Sequence, residues 1–394
     1  MILPDEIQSN YPHILFMKQW KISTEIAELL GECKAIVKAI SEVPIDPAYQ
    51  QFLKSVSLIK GAQATTAIEG NMLSDEEVQK VAQGKSLPPS KEYQEIEVRN
   101  IIDAMNDLVV EVIDKGQTHF IDPGLLLRFH KSIGANLGEH FDAVPGRFRN
   151  DSRVVAGYRC PPHEYVRELI DNLCRFLAEE FKFTRGNQPF SDAVIQAIVA
   201  HIYLEWIHPF GDGNGRTGRL LEFYILLRAG TPDIASHVMA NHYNETRNEY
   251  YRQIDLAKQE RDLTSFIRYA LEGFRDGLDR MLELTQQNTL ETAWRTYVYE
   301  QFKDKPYRKK KVFKRKREMM LQMPMNKLMT ADELITQTPS LAKEYVPLTQ
   351  QTVKRDLNEL VDMGLIKKVE GRGSDVYITN HELLRLKMAK KLGG

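Results

Sequence analysis

Residues 191–206 repeat apolar side chains at helical spacing, and residues 220–228 are apolar on nearly every side, as a buried central helix should be. Residues 51–60 read as an amphipathic helix, with Gly70 as its C-terminal stop. Residues 153–160 set β-branched and aromatic positions around Gly157 and end at Pro161 and Pro162, the pattern of a short hairpin. Toward the C-terminus, Thr330 and Glu333 have capping-box spacing, and residues 348–363 read as a helix stopped at Gly364. Residues 367–378 then alternate around Gly371 and Gly373 as a two-stranded wing would. The pattern predicts a mostly α-helical protein: a helical core carrying a short β-hairpin, followed by a small α+β winged-helix domain.

Composition narrows the class. The chain has 394 residues, 42% hydrophobic and 27% charged, enough for two or three domains. No apolar run approaches the ~18 residues of a membrane span, and residues 1–6 lack the basic and apolar regions of a signal peptide. Cys33, Cys160 and Cys174 have no paired spacing, which predicts reduced thiols, no zinc site and a cytoplasmic protein without a membrane partner.

The loop between the two apolar stretches carries the chemistry. Residues 208–219 read His-Pro-Phe-Gly-Asp-Gly-Asn-Gly-Arg-Thr-Gly-Arg. Pro209 stops the first helix, and the glycines permit a tight turn into a helix that the apolar pattern starts at Leu220. The leading N–H groups of that helix have no intrahelical acceptor and lie at the positive end of its dipole. Gly213 and Gly215 admit a ligand close to the backbone, Asn214 offers a side-chain donor, and Arg216 and Arg219 offer forks that match phosphate oxygens. Asp212 fits an anion site if Mg²⁺ bridges it to the ligand. His208 has the side chain suited to take a proton from a hydroxyl near neutral pH. No Gly-Lys-Ser/Thr loop is present, so a P-loop NTPase is not supported.

This segment resembles the Fic family core motif, His-x-Phe-x-Asp/Glu-Gly-Asn-Gly-Arg-x-x-Arg, at every specified position. The resemblance implies a transferase that moves AMP from ATP to a Ser, Thr or Tyr hydroxyl of a target protein. His208 would be the base, and Asp212 would hold Mg²⁺. Gly213, Asn214, Gly215 and Arg216, with Thr217 and Gly218, would cradle the nucleotide, and Arg219 would grip the γ-phosphate. The phosphorylating Doc-type branch replaces the second glycine with lysine, which this chain does not. Phosphocholine transfer is not excluded by the core motif.

Three further segments fit the same family. Thr65, Glu69 and Gly70 match its inhibitory motif, Ser/Thr-x-x-x-Glu-Gly/Asn, which implies that Glu69 pairs with Arg219 and takes the space of the γ-phosphate. Thr65, four residues earlier on the same helix face, would help fix that helix. The hairpin around Val154, Val155 and Ala156 resembles the family's flap, which clamps an extended target segment by strand addition. Tyr251, rather than Tyr250, is assigned to the adenine side. In some family members the inhibitory glutamate also supports removal of AMP, and that activity stays open here.

Charge is unevenly spread. From Lys303 to Gly394 there are 21 Lys and Arg against 11 Asp and Glu, although the whole chain has a net charge of −1. The densest basic run is 308–317. On the 348–363 helix, Gln350, Gln351, Lys354 and Arg355 would face a DNA major groove, whereas Asp356, Glu359 and Asp362 oppose that reading. A protein-docking winged helix, and a regulator whose transferase unit acts on itself, are the alternatives. The predicted organisation is an N-terminal helical region (1–110), a catalytic core (111–280), a basic connector (281–325) and the winged helix (326–394). The target is unassigned, the chain itself being one candidate, and a homodimer is compatible with all of this.

Overall fold

A computed structural model describes residues 3–182, 188–303, 310–370 and 375–384. The predicted wing tip at Gly371 and Gly373, and Arg308 and Lys309 of the basic run, lie outside the described residues. Contacts divide the chain into two units. The first holds residues up to Val43 and Pro47–Glu283, and the second holds Pro44–Asp46 and the residues from Leu284 onward.

The first unit is helical apart from one hairpin. Its N-terminal part contains α1 (Asp5–Asn10), α2 (Thr24–Glu42), α3 (Pro47–Ile68), α4 (Asp75–Ala82) and α5 (Glu92–Val109). After α6 (Pro123–Ile133), β1 (Val154–Val155) and β2 (Tyr158–Arg159) form the hairpin. α7 (His163–Phe181), α8 (Phe190–Ile207), α9 (Asn214–Arg228), α10 (Val238–Glu245) and α11 (Arg247–Glu260) follow, and α12 (Thr264–Lys303) runs through the division between the units. No separation appears at residue 110, because α3 and α5 both pack against α9.

α8 and α9 form the centre. Every residue of α9 is buried, and α8 keeps only four of its eighteen outside that class. By length and composition α8 is apolar enough to cross a membrane, contrary to the sequence expectation, but 78% of it is buried within the fold. Buried His201 and part-buried Glu205 on α8 find polar neighbours on α9 and α11, which a lipid-facing helix would lack.

The second unit contains α13 (Lys310–Gln322), β3 (Met329–Thr330), α14 (Ala331–Thr336), α15 (Pro339–Tyr345), α16 (Gln350–Asp362), β4 (Ile366–Glu370) and β5 (Asp375–Thr379). The three strands are antiparallel in the order β3-β5-β4, with Met329 opposite Tyr377 and Lys368 opposite the same residue on the other side. Thr330 and Glu333 form the predicted capping box. The segment read as a connector supplies much of this unit's core: Trp294, Val298, Phe302, Met319 and Met320 pack with Leu357 and Tyr377. The basic run is more than a solvated face, since Arg315 and Lys316 are buried against Asp356, and Lys316 also reaches Glu359. Two of the acids that opposed a basic surface on α16 are thereby neutralised from inside.

Candidate active site

The loop that joins α8 to α9 is held by its own side chains. α8 ends at Ile207, His208 takes a left-handed conformation (φ 50°), and Pro209 cannot donate to continue the helix. Phe210 is fully buried and stacks on His130 with ring centroids 3.8 Å apart. The Gly146 N–H donates to His130 Nδ1 (3.0 Å), so the proton rests on Nε2, which donates to the Asp212 carbonyl at 3.0 Å. Burial lowers the His130 pKa to about 4, so it stays neutral as a strut. Asn214 closes the loop through Oδ1, which accepts from Phe210 N–H, and Nδ2, which donates to Phe210 C=O, both at 2.9 Å. One amide N–H and the amide oxygen thus hold the loop, and the second N–H of Nδ2 is the donor left for a ligand.

The helix after the loop starts six residues earlier than the apolar pattern implied. Gly213, with φ +79°, is the N-cap of α9, and Thr217 N–H makes the first intrahelical bond to its carbonyl. The N–H groups of Asn214, Gly215 and Arg216 thus precede that first bond and form the anion cradle. Two other motif residues have partners inside the fold: the Thr217 hydroxyl donates to Gly213 C=O (2.8 Å), and a Cβ on Gly218 would meet His201 Nδ1 at 2.8 Å.

Glu69 sits on the cradle. It lies one residue beyond α3, in a turn closed by Asn71 N–H donating to Thr66 C=O (3.1 Å), with Gly70 at φ +100°. Its Oε1 accepts from Arg219 Nη2, and a Cβ on Gly215 would collide with that same oxygen. Arg219 is fully enclosed, yet Nε and Nη1 have no hydrogen-bond partner among the described residues. Burial alone would raise the Glu69 pKa, but Arg219, aided by Arg216 and His208, holds the carboxyl below the usual range. Thr65 contributes differently from expectation: its hydroxyl is buried without a partner, and its carbonyl accepts from Arg219 Nη2 at 3.0 Å. Helix geometry turns that carbonyl, rather than the side chain, toward the guanidinium.

His208 and Asp212 flank this anion pocket. Burial, followed by the nearby Arg149 charge, lowers the His208 imidazole to about 4, so it is neutral at physiological pH. Asp212 keeps 29% of its side chain exposed, and its Oδ1 accepts from Arg216 Nη2 at 2.6 Å. The described residues contain no cluster of three or more His, Cys, Asp or Glu, so Asp212 is the local carboxylate that phosphate oxygens would have to supplement around a cation.

Arg149 braces His208 and was not singled out in the sequence. Its Nε donates to the His208 carbonyl (2.7 Å), Nη1 to Asp151 C=O (2.6 Å) and Nη2 to Pro161 C=O. One guanidinium therefore ties the loop after α8 to both ends of the hairpin. The hairpin itself pairs Val154 with Arg159 and Val155 with Tyr158, turning through Ala156 (φ 46°) and Gly157 (φ 86°). Val154 is 64% exposed, leaving an open edge beside the site, while Tyr158 OH donates to Trp206 C=O at 2.9 Å. Of the paired tyrosines, Tyr250 is buried and its hydroxyl meets His201 Nε2 at 2.8 Å, whereas Tyr251 stays 45% exposed beside the Glu69 turn, its hydroxyl donating to Ile68 C=O (3.4 Å). The three cysteines are free and buried, and burial lifts the Cys160 thiol to about 11, which removes it as a nucleophile.

A family model described as "Fic/DOC family" matches residues 120–226. Protein adenylyltransferase fic-1 of Caenorhabditis elegans is 31% identical over 220 residues, 55% of this chain and 40% of that protein. Protein adenylyltransferase Fic of Culex quinquefasciatus is 30% identical over 225 residues, 57% of this chain and 41% of that one. The chain thus spans about two-fifths of the length of these curated relatives. Among solved structures, a Fic family protein from Desulfovibrio desulfuricans G20 aligns with TM-score 0.55 and 21% identity, covering 92% of this chain and 98% of that one, a likeness of fold. A structure of Fic-1 from C. elegans aligns with TM-score 0.53 and 25% identity over 66% of this chain and 73% of that one. The loop and nearly all of its helix lie within residues 120–226, the segment that the family model matches.

Proposed function

We propose that this domain is a protein adenylyltransferase that moves AMP from ATP to a Ser, Thr or Tyr hydroxyl, and that Glu69 holds it off at rest. The observation that carries this reading is the Glu69 carboxylate over Gly215, paired with a buried arginine that has two unpartnered nitrogens. A carboxylate in an anion cradle is the simplest mimic of a phosphate. With Glu69 withdrawn, Arg219 and the N–H groups of Asn214, Gly215 and Arg216 would take the ATP phosphates.

The residues divide the chemistry as follows. Neutral His208 accepts the proton of the target hydroxyl, whose oxygen bonds to the α-phosphorus as the bond to the β-phosphate bridging oxygen breaks. Pyrophosphate leaves, and charge on it is met by Arg219. Asp212 would hold Mg²⁺ together with phosphate oxygens of ATP, and the ion would supply charge neutralisation there. The exposed edge of Val154, Val155 and Ala156 offers backbone groups to an extended target segment.

The test incubates a Glu69→Gly variant with Mg²⁺ and ATP labelled at either the α- or the γ-phosphate. Transfer of the α label alone supports AMP transfer. Transfer of the γ label, or of neither, contradicts it. For the second unit we read a winged helix with the outward face of α16 toward duplex DNA. Exposed Gln350, Gln351, Lys354 and Arg355 favour this, with Asp356 buried and Glu359 paired to Lys316. Binding to duplex DNA that weakens steeply with salt would support it, and no binding at low salt would discard it.

A further inference from the structure

A second buried carboxylate joins the Glu69 turn to the other arginine of the motif. Asn71 directly follows Glu69 and Gly70. Its Nδ2 donates to the Gln94 carbonyl and to Glu97 Oε2, both at 3.0 Å, while its Oδ1 accepts from Leu73 N–H at 3.1 Å. The opposite oxygen of Glu97, Oε1, accepts from Arg216 Nη1 and from Tyr93 OH (2.9 Å). Arg216 then reaches Asp212 through Nη2, stacks over Phe141 at 5.4 Å, and leaves Nε without a partner. Glu97 and Arg216 are both almost wholly enclosed, their side chains 6% and 3% exposed.

A buried carboxylate with partners on both oxygens cannot lose one without redistributing its charge toward the other, and low local dielectric magnifies that change. If the Glu69 turn moved aside and carried Asn71 with it, Glu97 Oε2 would lose a donor. Its charge would then fall more fully on Arg216 and draw that guanidinium away from Asp212. The two arginines of the motif thus face two acids linked through Asn71: Glu69 in the turn occupies Arg219, and Glu97 on α5 would set how Arg216 divides itself between Asp212 and an incoming phosphate.

We infer that Asn71 and Glu97 form a relay that couples withdrawal of Glu69 to the state of the Arg216–Asp212 pair, with Glu97 acting as a positioning residue. This rests on the adenylyltransferase reading for its consequence, though the coupling can be measured by binding alone. Mg²⁺-ATP affinity is measured for the full chain, for Glu69→Gly, for Asn71→Ala, and for the double variant, with thermal melting of each as a check on folding. The relay predicts non-additive effects: Asn71→Ala changes affinity at least threefold less in the Glu69→Gly background than in the wild type. Glu97→Gln, which keeps shape and weakens the grip on Arg216, should show the same non-additivity with Glu69→Gly. A purely structural anchor would instead lower the melting temperature and leave the affinity changes additive.

Affinity changes that multiply within a factor of two for both cycles would overturn the relay, whatever the proteins do catalytically. The adenylyl-transfer reading fails separately, when α-labelled ATP binds the Glu69→Gly variant but transfers nothing. If Glu97→Gln does not fold, the Asn71→Ala cycle decides alone.

Discussion

Two buried arginines in this protein face carboxylates, and they do opposite things. In the second unit Arg315 donates through Nε and Nη2 to Asp356, lies over the Tyr345 ring at 5.2 Å, and is flanked by Lys316 with its own acid, Glu359. In the first unit Arg219 gives one nitrogen to Glu69 and Thr65 and keeps two without partners. A buried guanidinium left half-satisfied is costly, whereas one gripped through two nitrogens by a single carboxylate is a structural staple. Arg219 also faces glycine backbone and a helix N-terminus, and Arg315 faces a packed core. Burial and ion pairing are common to both, so spare donors set beside glycine backbone at a helix N-terminus are what distinguish the proposed phosphate site.

The largest expected effect tests that the loop is chemical rather than structural. In a Glu69→Gly background, His208→Ala should cut α-label transfer by about 10²- to 10⁴-fold, the range for losing a general base. Transfer surviving within twofold would make His208 a bystander. Next, Asp356→Ala should strip Arg315 and Lys316 of their buried partner and destabilise the second unit by about 3–5 kcal/mol. Hydrogen exchange across α16 measures this, and ATP affinity should not change. If α16 stayed protected, the staple reading of that pair would be wrong.

Smaller effects sharpen the Arg219 side. Gly215→Ala places a Cβ against Glu69 Oε1 and 2.9 Å from Arg219 Nη1, so it should weaken Mg²⁺-ATP binding on the order of tenfold, about 1.4 kcal/mol. Isothermal titration reads this directly, and unchanged affinity would move the phosphates elsewhere. The pH profile of kcat/KM for Glu69→Gly gives the smallest signal. Because His208 is held near 4, its neutral, base-competent form persists as pH falls through 6.5 and is lost only near 4. The acid limb should therefore lie well below the ordinary histidine range. A limb at 6–7 would mean the base is solvated and not set by burial.

Much of this was legible from the sequence because it is local. The apolar repeats of α8 and α9, the loop between them, the hairpin at 154–159 and the capping box at Thr330 each depend on residues a few positions apart. Glu69 was legible as a motif, although its contact with Arg219 spans 150 residues. What remained hidden depends on long-range pairing: His130 as the strut under Phe210, Arg149 as the tie between base and hairpin, Glu97 as the partner of Arg216. The Arg149 signal was a basic-aromatic run, residues 147–149, which pattern alone could not tell from a surface loop. The start of α9 was misplaced because glycine and polar residues hide helix content when tertiary burial, here complete from Asn214 onward, supplies the stability. The inward turn of Arg315 and Lys316 within the basic connector was also hidden, since charge density carries no information about where the charges point.

The measurement closest to the central claim compares α-label transfer from ATP by the unaltered chain, Glu69→Gly, and Glu69→Gly/His208→Ala at equal concentration. Release of the Arg219 pocket should raise transfer by about 5- to 150-fold, the usual span of a coupling between sites, and the second substitution should return it to background. Equal transfer by the unaltered chain and Glu69→Gly, with Mg²⁺-ATP bound by both, would show that the carboxylate over Gly215 does not hold the site closed.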